Sequence, residues 1–207
     1  MNIIIFGATG SIGRPLVDQA LADGHTVTAF VRNPDALVVD HPNLIRLARS
    51  VFDQAAVTAA LAGQDAAVVA LGAGRNGRVR AEGTRTVIAA MQATGVRRLV
   101  CLSTLGAGDS RPALNFFWRH VMFGLLLRPA YADHQAQEAA VMASGLDWTI
   151  VRPGSFTDGP ATDGYHHGTP PRDRKLVFKI SRADVAGFML RQIGSDTYLR
   201  QTPAVSH

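Results

Sequence analysis

The segment that most constrains the fold is Phe6–Gly13, where three glycines follow directly on the apolar run Ile3–Ile5. Gly7 permits a tight turn after a strand, Gly10 lets backbone approach phosphate oxygens closely, and Gly13 lets a helix pack against the strand. Apolar residues then recur at helical spacing. A strand, a glycine turn and a helix start together expose free amides and the positive end of a helix dipole, which favours a pyrophosphate. The alternative is an ordinary glycine-rich βα turn.

Strand-like apolar runs alternate with helical patterns along the chain. Strands are predicted at 2–6, 25–32, 43–49, 66–71, 97–103, 148–151, 175–180 and, as an edge strand, 202–205; helices are predicted at 11–23, 54–61, 82–94, 113–127, 134–143 and 181–191. This alternation predicts an α/β fold with a doubly wound parallel sheet, a Rossmann fold. The 207 residues contain neither repeat nor linker, so we predict a single domain, 1–207. Within it, about 104–135 and 154–175 would form a small substrate-side region.

Composition excludes several classes of protein. The single cysteine, Cys101, permits no disulfide framework or cysteine metal site within the chain, and His166-His167 lacks companion ligands at metal spacing. The first strand follows Met1 at once, and the longest apolar run, 121–127, is too short to span a bilayer. We therefore expect a cytoplasmic protein with no membrane partner and no metal. The net charge is +5, but the arginines are scattered, which argues against nucleic acid.

Parallel sheets bind ligands beyond the carboxyl ends of their strands, so the residues after each predicted strand are candidates. Arg32 follows the second strand, where a guanidinium suits a 2′-phosphate and a carboxylate would suit the ribose hydroxyls. Arg32 therefore predicts a preference for NADP(H) over NAD(H), with a surface arginine at a turn as the alternative. Ser103 and Thr104 end the fifth strand, where a hydroxyl would face a nicotinamide or cap a helix.

Two further strand ends offer mainly backbone. The segment 71–74 is small enough to let a cofactor come close, and Arg75 and Arg78 after it would either reach phosphate or lie exposed. After the sixth strand, Pro153–Ser155 offers amides to a carboxamide, and Phe156 offers an aromatic wall to a substrate.

The glycine opening, Ser103, the turn Arg152–Gly154 and the run Ile180–Ala186 resemble the atypical short-chain dehydrogenase/reductases with NAD(P)-binding NmrA-like domains. Further segments, including 62–66, 82–91, 133–134, 144–146 and 188–191, are similar to the flavin reductase/biliverdin-IXβ reductase branch. The resemblance covers nearly the whole chain. It implies that the glycine segment holds the pyrophosphate, Arg32 the 2′-phosphate, and the segment 71–73 the ribose.

The resemblance and the strand ends together give the predicted cofactor contacts. These are Gly7, Thr9, Gly10, Ser11, Ile12, Gly13, Arg32, Asn33, Ser50, Val51, Leu71, Gly72, Ala73, Arg75, Ser103, Thr104, Pro153, Gly154 and Ser155. The sequence departs from the family pattern twice. Arg49-Ser50-Val51 stands where relatives usually carry Gly-Asp-Val, whose aspartate reaches the adenine. Gly154 stands where the biliverdin-reducing members carry a histidine, which argues against biliverdin as substrate.

The predicted catalytic residues are Ser103, Tyr131 and His134. In the wider superfamily a lysine four residues after the tyrosine lowers the tyrosine pKa, but Gln135 holds that position here. We therefore predict that the chain is not an ordinary carbonyl reductase. His134 is either a proton donor or a histidine on a helix surface.

Hydride transfer to a flavin or quinone needs no acidic side chain, because the acceptor delocalises the incoming charge and water can supply protons. A flat-ring cleft is predicted from aromatic and histidine side chains, with a core or dimer contact as the alternative reading; the residues are Phe116, Phe117, Trp118, Phe156, Tyr165, His166 and His167.

The sequence therefore predicts an NADPH-dependent reductase of flavins, quinones or similar flat small molecules, acting as a monomer or homodimer. A non-catalytic NAD(P)-binding redox sensor of the NmrA type is the alternative. A nucleotide-sugar epimerase is disfavoured, because only about fifty residues follow the sixth strand.

Overall fold

The computed structural model describes residues 1–72, 78–114, 116–162, 164–168 and 178–207. The strands are β1 Asn2–Phe6, β2 Thr26–Val31, β3 Leu44–Ala48, β4 Ala66–Val69, β5 Arg98–Leu102, β6 Asp147–Pro153, β7 Ser155–Thr157, β8 His166–Gly168, β9 Lys179–Ser181 and β10 Ala204–Ser206. The α-helices are α1 Gly13–Ala22, α2 Gln54–Leu61, α3 Val79–Thr94, α4 Arg128–Met142 and α5 Arg182–Ile193. Short 3₁₀ turns span Pro34–Ala36 and Gly108–Ala113, and a π-helix spans Phe117–Leu126.

Eight of the described strands form one sheet in the order β3-β2-β1-β4-β5-β6-β10-β8. All neighbours in it pair in parallel except β10 and β8, which are antiparallel. The chain order reverses between β1 and β4, which is the switch point where doubly wound sheets bind ligands. The predicted Rossmann fold is therefore confirmed.

The sheet is buried on both faces, as the near-continuous apolar strands require. Alternate residues of β1 separate the two cores: Ile3 and Ile5 pack with α1 and α5, whereas Ile4 and Phe6 pack with α2, α3 and α4. Cys101 of β5 lies fully buried in the second core, where burial and the charge of Glu138 raise the pKa of its thiol. The thiol is therefore held in its protonated form.

Two predictions about the elements are wrong. The strand predicted at 202–205 is not an edge strand, because β10 lies between β6 and β8. Strand β8, which is rich in histidine, pairs with the outer side of β10. The polar sequence of β8 does not predict a strand. The helix predicted at 113–127 is instead a π-helix at Phe117–Leu126, preceded by the 3₁₀ turn that ends at Ala113. The Leu127 amide donates to the Met122 carbonyl, five residues earlier, at 2.7 Å.

The last helix begins as predicted. The Ser181 hydroxyl accepts from the Asp184 amide at 2.9 Å and donates to the Asp184 carboxylate at 2.8 Å. Such capping satisfies groups that the first helical turn leaves without partners. None of the helices in the described ranges is long and apolar enough to cross a membrane.

Candidate functional site

A cavity of about 540 Å³ opens beyond the carboxyl ends of β1 to β6. Its floor consists of the segments that follow these strands, and its roof consists of the π-helix and the first turns of α4. The predicted residues that line it are Gly7, Thr9, Gly10, Ser11, Ile12, Arg32, Ser50, Val51, Leu71, Gly72, Ser103, Thr104, Tyr131, His134, Pro153, Gly154 and Ser155. Ala73 and Arg75 lie outside the described residues.

The glycine cradle has no room for side chains. Gly7 has a φ of +88°, and a Cβ built on it would lie 2.5 Å from the Ala70 carbonyl oxygen. A Cβ on Gly13 would lie 2.1 Å from the Gly7 carbonyl oxygen. Gly13 therefore does not line the cavity but lets α1 pack against the turn, as its position predicts. The amides of Ser11 and Ile12 donate to no backbone acceptor in the described parts of the chain. A pyrophosphate fits this cradle, because it would accept from such free amides at a helix N-terminus.

One end of the cavity carries two arginines on adjacent strands. Val31 pairs with Ala48, and the Arg49 amide donates to the Val31 carbonyl at 2.9 Å, so Arg32 and Arg49 follow at neighbouring positions. Both side chains are exposed and line the cavity. Neither forms an ion pair with a carboxylate of the described residues. Two unneutralised guanidiniums at one point provide a site for a dianion.

Sequence reasoning missed two residues at this end. Arg49 stood out only as a departure from the family pattern, although its place after β3, beside Arg32 after β2, was the available signal. Phe52 also lines the cavity and is 48% exposed, so it offers a flat surface to a nucleobase. Asn33, in contrast, does not line the cavity, because its side chain accepts from the Asp35 amide at 3.1 Å and caps the first 3₁₀ turn.

At the other end, the Ser103 hydroxyl does not cap a helix. It donates to Glu138 Oε1 at 2.6 Å, and both residues are buried. Glu138 also accepts from Arg152 Nε at 2.9 Å and Nη2 at 2.7 Å, and Arg152 further binds Asp109. Burial alone would lower the pKa of Arg152, but its bonds to Glu138 and Asp109 outweigh burial and raise it. The Ser103 hydroxyl proton is therefore bonded to Glu138 below the cavity, and the hydroxyl oxygen can accept a hydrogen bond from a ligand.

The Tyr131 hydroxyl is committed in the same way. It donates to the Gly106 carbonyl at 3.0 Å and accepts from Gln135 Nε2 at 3.4 Å. Gln135 therefore occupies the position from which a lysine would stabilise a Tyr131 phenolate. The Tyr131 ring stacks on Phe123 with centroids 5.1 Å apart, so it also forms part of the aromatic wall.

His134 of α4 is half-buried and lies in the cavity wall. Burial, helped by the charge of Arg80, lowers the pKa of His134 to about 3. Its Nδ1 atom is buried and has no hydrogen-bond partner among the described residues. His134 is therefore a neutral imidazole near pH 7, able to form a hydrogen bond but not to act as a cationic acid.

Only some of the side chains predicted for a flat-ring cleft line the cavity. Trp118 and Phe156 line the cavity, together with Phe123 and Phe178, which were not predicted. Phe116 and Phe117 lie outside it, 77% and 54% exposed. Tyr165 and His167 pack instead around Phe188 of α5, and His166 is exposed on β8. Helical spacing in this segment could not separate the inner from the outer face, because a π-helix changes the period.

The Gly154 position explains one departure from the family pattern. A Cβ there would lie 2.7 Å from the Phe178 carbonyl oxygen, and the Ser155 amide donates to the same oxygen at 2.7 Å. A histidine at position 154 would therefore displace this contact between the β6 end and the segment before β9. Within the described residues, no group of three or more His, Cys, Asp or Glu side chains could hold a metal ion.

Residues 7–196 match the family described as NAD(P)H-binding. The chain belongs to this family. The predicted nicotinamide cofactor and the resemblance to NAD(P)-binding reductases are thereby confirmed, whereas the preference for NADP(H) and the roles of the individual site residues stay predictions.

Several relatives are similar along most of the chain. The Saccharomyces cerevisiae UPF0659 protein YMR090W is 29% identical over 206 residues, which cover 93% of this chain and 87% of that protein. A (4-alkanoyl-5-oxo-2,5-dihydrofuran-3-yl)methyl phosphate reductase from Streptomyces griseus is 33% identical over 154 residues, which cover 74% of this chain and 48% of the reductase.

Solved structures show the same fold. The anaerobilin reductase ChuY from Escherichia coli O157:H7 has a TM-score of 0.81 at 26% identity, over 100% of this chain and 97% of ChuY. A short-chain dehydrogenase/reductase from Veillonella parvula in complex with NADP has a TM-score of 0.84 over 100% of this chain and 94% of that protein. At 18% identity, the second likeness concerns the fold alone.

Proposed function

We propose that the chain is an NADPH-dependent oxidoreductase that transfers hydride to a flavin, a quinone or a similar flat acceptor. The observation that carries this proposal is the contrast between the two ends of one cavity. Two arginines without carboxylate partners occupy one end, and an aromatic wall occupies the other. Reductases among the relatives, including one named for an anaerobilin substrate, support the reaction class.

The arginine end supports NADPH over NADH. A 2′-phosphate on the adenosine ribose carries about two negative charges at neutral pH, and a guanidinium binds phosphate with paired hydrogen bonds. Arg32 and Arg49 together would divide that charge between them. Among the residues that the structure describes, no carboxylate lines this end to bind the ribose hydroxyls of NADH instead.

The aromatic end supports a flat acceptor. A reduced nicotinamide supplies a hydride when it is bound. Trp118, Phe123, Phe156 and Phe178 would hold a second ring system against it, while the Ser103 oxygen would accept from the carboxamide. The Gly154 and Ser155 amides, which the sequence predicted for this role, are already bonded to the Val205 and Phe178 carbonyls at 3.0 and 2.7 Å. Orientation of this kind accounts for much of the rate enhancement when two reactants must meet.

The proton inventory of the site supports the choice of acceptor. The Ser103 and Tyr131 protons are engaged by Glu138 and Gly106, and His134 is neutral. A simple carbonyl needs a proton at its oxygen as hydride arrives, whereas a flavin or quinone delocalises the charge and takes its proton from water. The same inventory is compatible with the second candidate, a redox sensor that binds the dinucleotide without turnover.

One experiment tests the cofactor and the acceptor together. Purified protein is mixed with NADPH or NADH and with FMN or menadione, and the loss of absorbance at the nicotinamide band is followed. We expect turnover with NADPH. We expect Arg32→Gln and Arg49→Gln each to raise the KM for NADPH about tenfold, since a charged hydrogen bond contributes about 1.5–3 kcal/mol, and to leave the KM for NADH unchanged.

Arg85→Gln is the matched control, because Arg85 is an exposed arginine of α3 that does not line the cavity. Equal losses for both nucleotides in the Arg32 and Arg49 variants would contradict the assignment of the arginine end. Tight NADPH binding without turnover of either acceptor would favour the sensor.

A further inference from the structure

The π-helix carries an apolar face that the cavity does not use. Phe116, Phe117, Leu125 and Leu126 are 77%, 54%, 73% and 55% exposed, respectively. Trp118, Phe123 and Leu127 of the same segment line the cavity instead. The pair Phe116-Phe117 precedes the pair Leu125-Leu126 by nine positions. In a π-helix, whose hydrogen bonds join residues five apart, nine positions are about two turns. The four side chains therefore form one outward surface, which we call the outer face.

Large exposed apolar side chains concentrate at this point. Elsewhere in the described chain they are scattered, as Val38, Ile45 and Met142 are. Single exposed apolar residues are normal, but a contiguous patch marks a surface that meets a partner or a membrane. The outer face needs an explanation that the cavity does not provide.

The charges around the outer face restrict what can cover it. Between positions 110 and 132 the chain has three arginines, Arg111, Arg119 and Arg128, and neither aspartate nor glutamate. Arg111 and Arg128 are exposed, and Arg119 is half-buried with Nη2 donating to the Pro112 carbonyl at 3.1 Å. Asp109, just before the segment, shares Arg152 with Glu138, and its side chain is 71% exposed, so the three arginines outnumber one exposed carboxylate here. The complementary surface is therefore apolar and anionic.

We propose that the outer face docks the protein on an anionic lipid bilayer. Phenylalanine and leucine beside arginine are the composition of helices that lie in the membrane interface, with the apolar side chains among the acyl chains and the cations at the headgroups. A second copy of the chain fits less well, because a two-fold interface places the same patch on itself and would oppose arginines with arginines.

This proposal departs from the expectation of no membrane partner, which considered only the length of apolar runs. Docking at the surface needs no spanning helix. It also does not depend on the proposed reaction, because the residues that carry it lie outside the cavity.

The test is co-sedimentation of the full chain with lipid vesicles. We expect binding to vesicles of phosphatidylcholine mixed with phosphatidylglycerol, weaker binding to phosphatidylcholine alone, and release by high salt. The double variant Phe116→Ser/Leu125→Ser should lower the partition coefficient at least tenfold. Arg128→Gln should lower it about fivefold on anionic vesicles only, since one basic residue near such a surface contributes about 1 kcal/mol.

Matched controls are Val38→Ser, which removes an apolar side chain that is 90% exposed elsewhere, and Arg85→Gln, which removes an exposed cation on α3. Both should bind vesicles as the parent does. Unchanged NADPH affinity in the double variant would show that it is folded. No sedimentation of the parent, or equal sedimentation of the parent and the double variant, would overturn the proposal. So would a dimer in analytical ultracentrifugation that the double variant dissociates, since that result would assign the outer face to a second copy.

Discussion

At the scale of single residues, His134 determines how the cavity responds to acid. Its depressed pKa, about 3, follows from burial and from the positive charge of Arg80. The unfolded chain has an ordinary histidine, with a pKa of about 6.5. Below that value the unfolded state takes up a proton that the folded state refuses. The neutral His134 therefore makes its full contribution to the free energy of unfolding above about pH 6.5, and this contribution is lost as the pH falls toward 3.

We expect the free energy of unfolding of the parent protein to fall by about 2 kcal/mol more than that of His134→Gln between pH 7 and pH 5. Urea denaturation at the two pH values measures the difference. His120→Gln changes an exposed histidine and is the control. If all three proteins lost the same free energy, the depressed pKa of His134 would be refuted.

At the scale of elements, α3 is held at its N-terminus by a side chain from α4. Asp133 accepts from the Arg80 and Ala81 amides, both at 3.1 Å, and lies 3.6 Å from Arg80 Nη1. This bond joins two helices on one face of the sheet and fixes the point where the cavity meets α3. Asp133 thus acts as a remote cap for amides that the first turn leaves free.

Asp133→Ala should destabilise the protein by about 2–3 kcal/mol, because it leaves one buried and one partly buried amide without an acceptor and the Arg80 guanidinium without its counter-charge. Asp53→Ala, which removes the exposed local cap of α2, should cost only about 1 kcal/mol. Chemical denaturation of both variants at one pH gives the comparison. A smaller loss for Asp133→Ala than for Asp53→Ala would contradict the role of the remote cap.

The same elements explain what sequence reasoning could find. Helix α2 was predicted at its observed bounds, and the tight packing around Gly7 and Gly13 was predicted from the glycine spacing. Both features depend on residues only a few positions apart in the sequence. The Asp133 cap joins residues 52 and 53 positions apart, and Glu138 meets Ser103 across 35 positions. No local pattern encodes such pairings. The same holds for the place of β10, which depends on a partner that does not look like a strand.

At the scale of the whole molecule, one buried ion pair joins helix α4 to strand β6 of the sheet. Arg152 of β6 and Glu138 of α4 are 2% and 3% exposed, and they bring β5 and the 3₁₀ turn at Gly108–Ala113 together through Ser103 and Asp109. A Cβ on Gly108 would lie 2.6 Å from Arg152 Nη2, so the backbone is packed directly on the guanidinium. The pair is therefore part of the floor under the acceptor end.

Glu138→Leu should destabilise the fold by about 3–5 kcal/mol, because it leaves Arg152 charged and buried. The double variant Glu138→Leu/Arg152→Met should recover most of that loss, since two apolar side chains need no partner there. The ion pair of half-buried Arg182 with exposed Asp158 provides a control, in which Asp158→Asn should cost less than about 1 kcal/mol. A double variant no more stable than the single one would show that the charges themselves are required.

The burial of Cys101 in β5 has a practical consequence for anyone who wishes to watch this molecule move. Because the chain has no other cysteine and this thiol is sealed from solvent, alkylating dyes will find nothing to attack in the folded state. A cysteine introduced beside the cavity mouth, or on the outer face of the π-helix, would carry a spin label or fluorophore without any background to remove. Single labels can therefore be placed without removing a native cysteine. They would report the distance from the cavity roof to a nucleotide, or from the protein surface to a vesicle.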